Sequence, residues 1–60
     1  MGRYLKQYRI YFLDVLPDQP SVVPFESPSA SEAYATAKER AGVRPFELWM
    51  GDRLVIQKNP

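Results

Sequence analysis

Three aspartates, Asp14, Asp18 and Asp52, and a serine cluster, Ser27, Ser29 and Ser31, are the side chains of this sequence best suited to acid–base, metal or nucleophilic chemistry. Their settings argue against it. Asp14 and Asp18 flank the turn-forming stretch "LPDQP", and Asp52 follows Gly51, where an aspartate ordinarily hydrogen-bonds its own backbone. The serines precede a helical pattern, and Ser29 stands three residues before Glu32, the spacing of a reciprocal helix cap. The chain has no cysteine and no histidine, which removes thiolate and imidazole ligands and the usual nucleophile–base pairs. Gly2, Gly42 and Gly51 are too far apart to form a phosphate-cradling loop. We therefore expect no catalysis, no cofactor and no metal.

Aromatic residues and arginines offer a different chemistry. The stretch "FELWMGDRLV", 46 to 55, holds the single tryptophan, Trp49, four residues before Arg53, and "RIYFL" places Arg9, Tyr11 and Leu13 on alternate positions. Trp, Tyr and Arg are the types most enriched at binding hot spots. Arg9, Tyr11, Leu13, Trp49 and Arg53 are thus the candidate binding residues. Three readings compete. Arg53 can stack on the Trp49 indole as a cation–π pair within a half-buried hairpin. The face can instead bind protein, either a second copy to form a homodimer or another partner. It can also stack single-stranded nucleic acid on Arg9, Tyr11, Trp49 and Arg53. A net charge of +1 and the lack of an RNP-type string weigh against nucleic acid. Lys38, Arg40 and Arg44 suit the end of a helix dipole, with a phosphate cluster as the sharper alternative.

The elements that must position these residues follow from periodicity. "QYRIYFLDV", 7 to 15, is rich in aromatic and β-branched residues and predicts a central strand, with Tyr8, Ile10 and Phe12 on one face and Arg9, Tyr11 and Leu13 on the other. "SVVPFE", 21 to 26, predicts a second strand, confined to an edge because Pro24 cannot donate to a ladder. Ala30, Ala33, Tyr34, Ala37 and Ala41 recur at three- and four-residue intervals between Ser29 and Gly42, which predicts a helix with a narrow apolar stripe. "FELWM" and "RLVIQ" around Gly51-Asp52 predict a hairpin. A three-residue loop is the preferred register. It sets Phe46 and Leu48 with Leu54 and Ile56 on one face, and Glu47 and Trp49 with Arg53 and Val55 on the other.

The fold class is therefore α+β: a small antiparallel sheet of three to four strands in the order β-β-α-β-β, with one helix packed on one face. Residues 1–60 form a single small domain, with 7–57 as its ordered part. Eight basic against seven acidic residues, spread along the chain, make no polybasic footprint. The longest apolar run, Ile10 to Leu13, is too short for a bilayer, and the start lacks a signal-peptide pattern, so a soluble cytoplasmic protein without membrane contact is expected. Gly2 after Met1 matches the opening of a myristoylation signal, but the sixth residue is Lys6 rather than Ser or Thr. A domain of this size holds a marginal core, which gives partner binding a stabilising role.

Taken together, "YRIYFLD", "SEAYATAKERAG" and "FELWMGDRLV" resemble a group of short, single-domain bacterial proteins without an assigned activity. The likeness covers 8 to 14 and about 26 to 56, and departs from the group at Pro17 to Val23, where "PDQP" replaces a short glycine-containing turn. The resemblance implies the fold and supplies no site residue.

Overall fold

The computed structural model describes residues 4–14 and 16–59; residues 1–3, with the Met1-Gly2 start, and residues 15 and 60 lie outside the described residues. Four strands and one helix follow in the order β1 (Lys6–Phe12), β2 (Val22–Ser27), α1 (Ala30–Ala41), β3 (Phe46–Met50) and β4 (Arg53–Lys58). They form one antiparallel sheet in the spatial order β2-β1-β3-β4. The α+β class and the element order are those expected. β1 is an interior strand, and it ends at Phe12, short of the expected boundary. There the Phe12 N–H donates to Ser21 O at 2.8 Å and the Leu13 N–H to Pro45 O at 3.0 Å, which ties the turn back to its neighbours. β2 carries Pro24 at the edge of the sheet, where a missing donor breaks no second ladder.

The helix begins as its cap dictates. Ser29 is extended (φ −149°, ψ 162°), and its Oγ accepts from the Glu32 N–H at 3.3 Å, satisfying one orphan amide. Gly42 closes the helix at φ +63°, and its N–H donates to Lys38 O at 2.9 Å. Ala33, Ala37 and Ala41 are buried and Tyr34 packs at their flank, whereas Ala30, in the first turn, is exposed. Three alanines leave so little bulk that α1 lies close on the sheet, over β2, β1 and β3. Beneath it Tyr8, Ile10, Phe12, Phe46 and Leu48 fill the core, each within 8% exposure. Full burial of a side chain such as Ile10, Phe46 or Leu48 stabilises by about 1.5–3 kcal/mol. Tyr8 also stacks on Phe25 of β2, ring centroids 5.7 Å apart.

The β3–β4 hairpin differs from the expected register. Met50 pairs with Arg53 and Trp49 with Leu54, which leaves a two-residue loop, Gly51-Asp52. Gly51 supplies the positive φ, +62°, at the first loop position, as a II′-type turn requires. The ladder then slips by one residue, so that Leu48 pairs with Ile56 and Val55 is the extra residue of a β-bulge. The pairing of Phe46, Glu47 and Leu48 is thus the one a three-residue loop would give, reached by a bulge instead. Val55 and Ile56 both pack against the core, while Leu54 stands with Trp49 on the opposite face. Leu54 and Val55 therefore exchange the sides expected of them, and Arg53 moves to the side of Met50, which packs against the core.

No helix among the described residues is long and apolar enough to cross a membrane.

Candidate functional site

Strand pairing decides which side chains share the face away from α1. Ile10 pairs with Leu48, both fully buried, so Arg9 with its partner Trp49 and Tyr11 with its partner Glu47 point to the other side. From β2, Tyr11 meets Val22 and Arg9 meets Pro24; from β4, Trp49 meets Leu54 and Glu47 meets Gln57. An apolar band thus crosses all four strands from Val22 through Tyr11 and Trp49 to Leu54. Val22 is 40% exposed and Leu54 43%, and Tyr11 and Trp49 are half-buried. Among the described residues no element is placed over this band by the topology, since the helix occupies the opposite face.

At the centre of the band Tyr11 meets Trp49 nearly at right angles, 78° between planes with centroids 6.2 Å apart. Edge-to-face contact lets the positive ring edge meet the negative ring face, which fixes the pair as a corner. The Trp49 Nε1–H donates to Glu47 Oε1 at 3.0 Å, and the Arg9 Nη1–H donates to Tyr11 Oη at 3.4 Å. An open hollow of about 360 Å³ lies against these four residues together with Gly51 and Asp52. Its volume falls in the range of small-ligand sites. Charge on this face is one-sided among the described residues: Arg9 is the cation, and Glu26, Glu47 and Asp52 are carboxylates. Glu26, at the β2 rim, already accepts from Gln7 Nε2 at 3.0 Å.

The structure brings Arg9, Tyr11 and Trp49 together and leaves out the other two candidates. Leu13 lies one residue past β1, 43% exposed, and does not line the hollow. Arg53 is carried to the helix side by its pairing with Met50, away from the cation–π stack on Trp49, one of the three competing readings, and the Trp49 ring meets Tyr11 instead. Val22, Glu47, Asp52 and Leu54 belong to the site without having been singled out for it.

The basic residues near the helix end do not form one cluster. The Arg44 Nε–H donates to Asp14 Oδ1 at 3.0 Å and its guanidinium sits 3.8 Å from the centre of the Phe12 ring. Lys38 instead lies 5.1 Å over the Tyr34 ring. Asp14 is accordingly an ion-pair partner across the fold. Ser29 is a helix cap, and Ser27 is a buried hydroxyl that donates to Ser29 O at 3.2 Å. Among the described residues no three Asp or Glu side chains gather as metal ligands would.

No family model, no curated protein and no solved structure matches this chain.

Proposed function

We propose that this protein is a small, non-enzymatic protein-interaction module that engages a partner protein through the open face of its sheet. The band Val22–Tyr11–Trp49–Leu54 carries this reading. It places contiguous apolar surface, two aromatic rings and an arginine on a face without cover among the described residues, and such patches on small domains mark contact sites. We assign the module to the cytoplasm, the compartment expected from its sequence.

A partner other than a second copy fits the charges better. Two copies joined face to face would bring the carboxylates of Glu26, Glu47 and Asp52 toward their counterparts, with Arg9 on each side to offset them. Joining by edges fares no better: Pro24 interrupts the donors of β2, and full-length antiparallel pairing of two β4 strands sets Arg53 against Lys58 of the other copy. The same carboxylates weigh against single-stranded nucleic acid, whose affinity comes largely from neutralised phosphates.

Photo-cross-linking in cells tests the reading. p-Benzoylphenylalanine at Leu54 is expected to give discrete cross-linked protein products, and the same probe at Ala35, on the exposed side of α1, is not. Products from Ala35 with none from Leu54 would move the contact to the helix.

A further inference from the structure

We infer that the hollow between Tyr11, Trp49 and Asp52 is a receptor for an arginine side chain of the partner protein. This rests on the reading of the open face as a protein contact and names the group that the face recognises. The first observation is charge: among the described residues, Arg9 against the carboxylates of Glu26, Glu47 and Asp52 makes this face acidic, in a chain whose net charge is +1. The guest that complements it is positive.

The second observation is the aromatic corner. Tyr11 meets Trp49 at 78°, so the indole is braced by the phenol while the hollow opens beside both rings. A cation over an indole face is attracted by the ring quadrupole, and tryptophan is the strongest of the aromatic partners. The third is the donor–acceptor balance of the site. Trp49 Nε1–H occupies Glu47 Oε1, leaving Oε2 and the Asp52 carboxylate as acceptors at the rim of the hollow. A guest that offers both a flat cationic face and several N–H donors is satisfied by this set.

Guanidinium meets both demands and ammonium only one. It is planar, stacks on aromatic rings, forks its N–H groups toward carboxylates, and gives up its weak hydration readily in a half-open site. Arg9, drawn to the Tyr11 hydroxyl, bounds the hollow on one side and repels a second cation there, which directs the entering guanidinium toward Asp52.

Nuclear magnetic resonance on the ¹⁵N-labelled chain provides the test, with an acetylated and amidated Gly-Arg-Gly peptide against its citrulline counterpart, which keeps the shape and loses the charge. The arginine peptide is expected to shift the Trp49 indole N–H and the Asp52 amide saturably. The citrulline peptide should bind about tenfold more weakly, the worth of one charge-assisted hydrogen bond. Glu47→Gln, which keeps an acceptor for the indole, and Asp52→Asn should each weaken the arginine peptide severalfold while the resonances of α1 stay in place. Equal binding of the two peptides, or no saturable shift with arginine, would overturn the inference. If cross-links from position 54 persist in that case, the face remains a protein contact whose guest is not arginine; if they are absent as well, both readings fall.

Discussion

Trp49 and Leu54 face each other across the β3–β4 ladder on the side of the sheet that α1 leaves uncovered, while Val55, the next residue, packs into the core. The two-residue loop produces both placements. A three-residue loop would instead set Val55 against Trp49 and turn Leu54 to the core side. The one-residue slip that follows sets Ile56 against Leu48, where an unbulged ladder would leave it opposite Glu47 on the uncovered side, so the extra residue completes the core.

The hairpin register makes a stability prediction with a definite order. Val55→Ser is expected to cost about 1 kcal/mol, reflecting partial loss of a buried valine's worth. Leu54→Ser should stay within about 0.5 kcal/mol, as exposed substitutions do. Urea denaturation of the two variants checks it, and the reverse order would refute the register.

The close approach of helix and sheet makes another. Ala37 is fully buried on the sheet-facing side of α1, so Ala37→Leu is expected to cost about 1–3 kcal/mol by overpacking. Ala30→Leu, at the exposed start of the same helix, should change stability by less than about 0.5 kcal/mol. Thermal unfolding of both variants distinguishes a tight interface from a loose one.

Gly42 and Gly51 hold positive φ, +63° and +62°, and an added Cβ would meet nothing within 4 Å at either. The cost of Gly51→Ala or Gly42→Ala is therefore entirely a backbone cost, about 1 kcal/mol each once the stiffer unfolded chain is counted. A double variant should show roughly the sum in denaturant titration, because the two sites lie at different turns.

Arg44 joins the β1 end to the segment before β3 through Asp14 and the Phe12 ring. Arg44→Ala is expected to lose about 1–2 kcal/mol, combining a partly exposed ion pair with a cation–π contact. Arg44→Lys should recover little of it, since an ammonium cannot stack flat on the ring. Added salt should remove the Asp14 share and leave the share from Phe12, which a salt series on wild type and on Asp14→Ala would separate.

Much of this fold was legible because local signals agreed. Ser29 with Glu32, the alanine spacing and Gly42 marked both ends of α1, and Pro24 announced an edge strand. Arg9, Tyr11 and Trp49 follow from residue type and alternation alone. Leu54 and Arg53 were misplaced because strand alternation carries no sign of a bulge: the apolar run Leu54-Val55-Ile56 allows either face to take the extra residue, and packing against Leu48 and the helix decides. Leu13 lies one residue past β1, its N–H still bonding to Pro45 O in the register of the β1–β3 ladder, but it does not line the hollow. Asp52 and Glu47 entered the site through proximity in space, which residue type did not announce.

The central claim is that Trp49 serves a contact, with the fold resting on the core beneath the helix. Trp49→Ala addresses it directly when combined with the benzoylphenylalanine probe at Leu54. The variant is expected to keep its helical circular dichroism and a cooperative unfolding transition while the cross-linked products disappear. Loss of the folded state on removing Trp49, or products that persist undiminished without it, would contradict the claim.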